Sequence, residues 1–331
     1  MKLQERISAL SALGAYMASG DEAWKAVLRS ASIQNPWFIE PFVNTAVEGI
    51  RKRFLDAESL TSWARGYPIP DHPDTPRVVG LVLAGNIPLV GFHDILCTFI
   101  SGHRQRVKLS SRDEILPTAL VRWLHTHYPQ TQELICIDER LNGCHAYIAT
   151  GSDNTARYFD YYFSKYPHVI RKNRTSVAIL DGTESPEELE KLSDDIQLYF
   201  GLGCRNVSQV LVPEGYDFVP LLQALKKYAF LADEHKYRHN FDYHLTLQIM
   251  NNRFYMTNDS ILLTEETSPF SPIGQLHYRH YAEGSDPAAG LAPEKIQCVV
   301  GHGHVPFGQA QLPGLSDYAD GVDTMQFLLS L

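Results

Sequence analysis

A series of short apolar runs, at 78–84, 106–109, 133–137, 145–149, 177–180, 207–212 and 296–300, constrains the fold more than any other feature of this sequence. Most of them are continuous and do not alternate. A strand that alternates apolar and polar residues has one wet face, whereas a strand apolar throughout is covered on both, as in a parallel sheet between layers of helix. Segments with helical periodicity separate several of the runs. Those at Pro88 to Ser101 and Pro117 to His127 each open on proline, whose fixed φ and missing N–H suit the first position of a helix. Strand and helix in alternation predict an α/β fold with mostly parallel sheets. Residues 1–66 are helix-periodic, broken at Pro36 and Pro41, and the proline-rich stretch 66–77 reads as an extended connector.

A chain of 331 residues is longer than one hydrophobic core organises well, so two lobes are expected. The boundaries read from the runs are 1–170, including the helical preface, then 171–310, then a terminal segment 311–331 that packs back. The net charge of −9 argues against a nucleic-acid surface, and the basic runs at 51–53 and 171–174 are short and isolated. The cysteines at 97, 136, 144, 204 and 298 are odd in number and form no C-x-x-C pair, which disfavours a disulfide framework and a zinc site. No signal-peptide pattern opens the chain, and its apolar runs are far short of a membrane span. A soluble protein of the reducing cytoplasm is expected.

Chemistry concentrates where the runs end. In doubly wound sheets, ligands lie beyond the carboxyl ends of strands. Asn86, in "AGN" at 84–86, stands at such an end, where its amide either donates to a developing oxyanion or caps the next helix. Lys108, Ser110, Ser111 and Arg112 follow the second run. They suit ribose or phosphate, or else "SRDE" at 111–114 is the capping box that starts a helix. Gly151 and Ser152 follow the fourth run, where free N–H groups could hold pyrophosphate. No G-x-G-x-x-G follows any run, so the ordinary dinucleotide fingerprint is absent. In "YFGLGCRNVSQVLVP", Gly201 and Gly203 close the helix-periodic segment Glu187 to Phe200 before a strand at Val207 to Val212. Cys204 therefore sits on an open junction, as a reactive thiol or as a small hydrophobe filling it.

Taken in order, "GNIP" (85–88), "VKLSSRDEILPTAL" (107–120), "TGSDNTA" (150–156) and "GCRNVSQVLV" (203–212) resemble the aldehyde dehydrogenase superfamily. "YPHVIRKNRTSVAIL", "YFGLGCRNVSQVLVP" and "VPFGQAQLPGLSDYADGVDTMQFL" are similar to the short bacterial proteins related to the fatty acyl-CoA reductase of luminescent bacteria. The resemblance covers about residues 77–331. It implies an aldehyde-dehydrogenase-like α/β fold of two lobes, with nucleotide bound by 1–170 and the catalytic cysteine in 171–310. It implies a covalent S-acyl intermediate on Cys204, and an oxyanion held by the Asn86 side chain and the Cys204 N–H. Lys108, with Ser110, Ser111 and Arg112, falls at the adenosine site, and Gly151 and Ser152 at the pyrophosphate. Glu265 or Glu266 falls at the nicotinamide ribose, and Glu266 is assigned.

Two substitutions relative to that family refine the expectation. Ser111 stands where NAD-dependent members place a ribose-chelating carboxylate; with Lys108 and Arg112 adjacent, this favours NADPH, against which Asp113 and Glu114 weigh. Ile170 falls, counting without a gap, where hydrolytic members place the glutamate that activates water. The resulting expectation is an NADPH-dependent acyl-CoA reductase that takes a CoA thioester to the aldehyde. Its partner is then a small-molecule acyl-CoA, with no nucleic acid and no membrane span, and a homodimer is compatible. The competing readings are an NAD(P)-dependent aldehyde dehydrogenase, an inactive nucleotide- or acyl-CoA-binding protein, and a Cys–His peptidase for which nothing selects a histidine. In "GHGH" at 301–304, no neighbouring Cys or carboxylate completes a metal site. His235, His239 and His244 read as part of a solvated, aromatic-rich loop.

Overall fold

The structure is a computed structural model that describes residues 1–151, 153–282 and 284–331, without the side chains of Asp153 and Asn154. The chain divides into two compact units, one made of 1–173 with 313–331, the other of 174–312.

The first unit opens with four helices, α1 (Leu3–Ala18), α2 (Glu22–Gln34), α3 (Glu40–Phe54) and α4 (Ala57–Arg65). Then follow β1 (Val78–Val82), α5 (Phe92–Ser101), β2 (Arg104–Lys108), α6 (Ile115–His127), β3 (Ile135–Ile137), β4 (Ala146–Thr150), α7 (Asp153–Phe163) and β5 (His168–Arg171). The strands form one sheet in the order β3-β2-β1-β4-β5, with every pair parallel. Leu81 lies opposite Val107 on one side and Ile148 on the other, and all three are buried, as continuous apolar strands require. Phe99, Ile100, Leu116 and Leu120 close the core from the helical layers.

Two helix starts differ from the sequence reading. The α5 helix begins at Phe92, not at Pro88, because Leu89 takes a left-handed φ of 56° that no right-handed helix can pass through. The α6 helix begins at Ile115, so Pro117 occupies its third position, where the missing N–H would have had no intrahelical partner. The capping box that 111–114 offered as one of two readings does not form: Glu114 is the N-cap and caps with no side chain.

The second unit contains β6 (Thr175–Ile179), α8 (Pro186–Gln197), β7 (Val207–Pro213), α9 (Val219–Ala224), α10 (His235–Met250), β8 (Met256–Thr257), β9 (Leu262–Glu265), β10 (Gln275–Tyr281) and β11 (Ile296–Val300). Its sheet runs β11-β6-β7-β10-β9-β8, parallel except for the short antiparallel pair β8–β9. Ser185, Pro186 and Glu188 open α8 with a capping box and a proline at the first position. The helix stops at Gln197, three residues short of the expected Phe200, since Tyr199, Phe200 and Gly201 all take left-handed φ values of 54°, 58° and 73°. The histidines at 235, 239 and 244 lie on α10, a helix and not the loop expected.

The terminal residues 313–331 carry α11 (Thr324–Leu329), which packs on α5 within the first unit through the buried Met325 and Leu328. Among the described residues, no helix is long and apolar enough to cross a membrane.

Candidate functional site

In the first unit the order of strands reverses at β1, which has β2 on one side and β4 on the other. The crevice beyond the carboxyl ends of strands at such a reversal is where doubly wound sheets hold ligands. The structure brings Asn86, Lys108, Ser110, Ser111, Arg112 and Gly151 to this edge, since they follow β1, β2 and β4 in turn. Lys108, Ser111 and Arg112 are exposed, while Asn86 and Ser110 are half-buried. The Gly151 N–H donates to the Arg171 carbonyl at 3.3 Å, so that amide extends the β4–β5 ladder. Ser152 lies outside the described residues.

The turn that carries Asn86 is locked to the turn after β2. A Cβ built on Gly85 would lie 2.6 Å from Ser110 Oγ and 3.2 Å from the Asp113 amide nitrogen, so only glycine allows this approach. The Leu89 N–H donates to Asp113 Oδ2 at 2.7 Å, and the Asp113 N–H donates to the Ser110 carbonyl at 2.9 Å. On the outer side, Asn35 Nδ2 donates to the Arg112 carbonyl at 3.0 Å. Asp113 is buried, its Oδ1 has no hydrogen-bond partner, and burial pushes its carboxyl up to about 7. Sequence reasoning read Asp113 as part of one alternative, a capping box, and as a charge weighing against NADPH, and missed this contact.

In the second unit, Cys204 stands half-buried between the end of α8 and the start of β7. The chain reaches it through the left-handed turn at 199–201, a costly conformation for the two aromatic residues. Asn206 holds that turn. Its Nδ2 donates to the carbonyls of Asp195 (3.2 Å), Ile196 (3.2 Å) and Leu198 (2.8 Å), and its Oδ1 accepts the Gly203 N–H at 2.8 Å. The orphan carbonyls of a helix end are thereby satisfied by one buried amide. Ser176 Oγ, on β6, donates to the Cys204 carbonyl at 3.1 Å and lies 3.1 Å from Cys298 Sγ. Burial pushes the Cys298 thiol up, which leaves it a weaker nucleophile. An amide side chain two residues beyond a Gly-x-Gly-Cys turn was the signal that would have revealed Asn206.

Glu266 follows β9 in the same unit. Its N–H donates to the Tyr278 carbonyl at 3.1 Å, its carbonyl accepts from Gln209 Nε2 at 2.8 Å, and its carboxylate pairs with Arg253 at 2.8 Å. It lines a cavity of about 230 Å³ with Gln248, Arg253, Phe254, Thr264 and Tyr278. The chain beyond Glu266 returns along β7, where Ser208 Oγ donates to the Pro269 carbonyl. His302 corrects the sequence reading of "GHGH". It has carboxylates on both ring nitrogens, Asp181 at 2.8 Å and Glu188 at 3.1 Å, because β11 pairs with β6 and brings together residues distant in sequence. Asp181, Glu184 and His302 form a cluster within ion-binding distance of one another, although Glu184 already accepts the Asp181 and Gly182 N–H groups.

The sequence matches no protein-family model and no curated protein. Solved structures do share the fold. An aldehyde dehydrogenase from Mycobacterium tuberculosis, complexed with NAD+, superposes with a TM-score of 0.61 at 14% identity, over 86% of this chain and 69% of that one. Betaine aldehyde dehydrogenase from Staphylococcus aureus, also with NAD+, gives 0.63 at 11% identity, over 85% and 66%. Lactaldehyde dehydrogenase from Escherichia coli gives 0.60 at 13% identity, over 85% and 70%. The chain thus has the two-lobe aldehyde dehydrogenase fold and spans about two thirds of the length of these structures.

Proposed function

We propose that this protein is an acyl-CoA reductase that uses NADPH to take an acyl thioester to an aldehyde. The observation that carries the reading is Cys204, presented half-buried on a junction that Asn206 and Ser176 hold. In the proposed reaction the Cys204 thiolate attacks the thioester carbonyl, the C–S bond to CoA breaks, and CoA leaves as its thiolate, which takes a proton from water. A bound nicotinamide would supply the hydride that reduces the acyl group, and the Cys204 thiolate would re-form as the aldehyde departs. Asn86 through its amide and Cys204 through its N–H are assigned the oxyanion, where one such donor is worth about 3 kcal/mol in the transition state.

The first unit is assigned the nucleotide and the second the acyl chemistry. Lys108, Ser110, Ser111 and Arg112 are assigned the adenosine end, and Glu266 the nicotinamide ribose once it exchanges Arg253 for the ribose hydroxyls. NADPH is preferred because Lys108 and Arg112 are exposed cations at the β2 edge and Ser111 brings no charge there. Asp113, which argued the other way in sequence, is buried against Leu89. Glu114 remains as an exposed acid. The similar structures complexed with NAD+ favour aldehyde oxidation with NAD+ as a second reading.

The two readings separate on how the acyl-enzyme is discharged. At the place counted for a hydrolytic glutamate stands Ile170, and the next residue, Arg171, is buried in an ion pair with Asp94 at 2.5 Å. Neither can accept a proton from water, which removes a contribution of about a hundredfold or more. The expected result is aldehyde oxidation that requires CoA thiol and yields the thioester, with kcat/KM higher for NADPH than for NADH in the reverse direction. Rapid oxidation to free carboxylate without thiol, or a clear preference for NADH, refutes the assignment.

A further inference from the structure

We infer that Asp113 is a positioning residue for the Asn86 turn, and that the turn keeps its working shape only while the Asp113 carboxyl is neutral. The inference rests on the oxyanion role proposed for Asn86. The turn from 83 to 91 is tied at its two ends, where the Leu83 N–H donates to the Lys108 carbonyl at 3.1 Å and the Gly91 carbonyl accepts the Ile95 N–H at 3.4 Å, and between them Leu89 holds a left-handed φ that a residue with a side chain adopts at a cost. The Leu89 carbonyl accepts the Phe92 N–H at 2.9 Å, and the bond that ties Leu89 outside its own turn is its N–H to Asp113 Oδ2 at 2.7 Å. The other end of the turn is fixed by Gly85 against Ser110 Oγ, and Ser110 in turn accepts the Asp113 N–H through its carbonyl. Asn86 lies between these two anchors, both of which lead to the 110–113 segment.

A carboxyl is an expensive way to receive one N–H. Asp113 is buried, Oδ1 has no partner, and no charged or titratable side chain from the β1–α5 turn, the β2–α6 turn or α2 contributes to its electrostatics; the Leu89 N–H alone opposes the effect of burial. An amide in this place would accept the same bond with no ionisation. With the carboxyl poised at about 7, the anchor changes charge within the physiological range. Ionisation puts a charge on a buried carboxyl that has only the Leu89 N–H as a partner, and the least costly response is for the turn to open toward water. The neutral acid therefore holds Asn86 in place and the anion loosens it.

The test uses the full-length protein and three variants, Asp113→Asn, Asp113→Leu and Asn86→Ala. In the wild type, the Leu89 amide resonance is expected to titrate with a midpoint near 7, and in Asp113→Asn to stay flat. A flat Leu89 amide in the wild type between pH 5 and 9 overturns the inference whether or not any turnover is found. For turnover of an acyl-CoA with NADPH, Asp113→Leu is expected to lower kcat by about tenfold to a hundredfold with KM for NADPH within about threefold, since the loss is one of positioning. Asp113→Asn should restore kcat and remove the fall in kcat that the wild type shows above pH 7 relative to it. A folded Asp113→Leu protein with wild-type kcat, or a Asp113→Asn profile identical to that of the wild type, contradicts the inference. Full kcat in Asn86→Ala refutes the oxyanion reading itself, and the Leu89 titration then still decides whether Asp113 governs the turn.

Discussion

At the scale of single residues, the account depends on two amides and two thiols. Asn206 satisfies three helix-end carbonyls and the Gly203 N–H at once. Truncation in Asn206→Ala leaves buried polar groups unpaired and is expected to cost about 2–4 kcal/mol in urea unfolding, with slower alkylation of Cys204 by iodoacetamide. Unchanged stability would mean the turn has another support. Cys298, bonded to the same Ser176 as the Cys204 carbonyl, is expected to differ from it in kind: Cys298→Ala should keep acyl transfer within about threefold, because a thiol pushed up by burial supplies little thiolate at neutral pH. Neither Asn206 nor Asp113 was legible from hydrophobic periodicity, since their partners are backbone groups aimed by turns at 199–201 and at Leu89 that no periodicity encodes; for Asn206 the Gly-x-Gly-Cys turn before it was the only signal. The places of Asn86 just beyond β1, Lys108 at the end of β2 and Cys204 just before β7 were legible because apolar runs mark those strands.

At the scale of elements, the strands with continuous apolar runs were read correctly, as at β1 and β7, because burial on both faces leaves its mark on every residue. Helix ends were read less well. Pro88 and the Tyr199–Phe200 pair lie in left-handed or turn backbone that overrides a helical pattern. The His302 contact shows a second limit, since Asp181 is 121 residues away and only the β11–β6 pairing unites them. This contact predicts a pH dependence. Asp181 and Glu188 raise the imidazole from 6.5 to about 8, so the tie is fully present below about 6.5 and is lost as pH rises through about 8. The thermal midpoint of the wild type should exceed that of His302→Gln at pH 6 and converge with it by pH 9. A gap that widens with pH would reverse the sign and contradict the account.

At the scale of the whole molecule, the two-unit α/β fold shared with aldehyde dehydrogenases divides the proposed labour between a sheet edge that suits a dinucleotide and a junction that suits a nucleophile. The central claim is that Cys204 carries an acyl group from one thiol to a hydride. Intact-mass spectrometry after mixing the full-length protein with an acyl-CoA tests it most directly. The account predicts a single acyl adduct that maps to Cys204, is absent from Cys204→Ala, persists for want of a base at Ile170, and discharges as aldehyde when NADPH is added. An adduct that survives in Cys204→Ala, or one that is released as free acid before NADPH arrives, would contradict it.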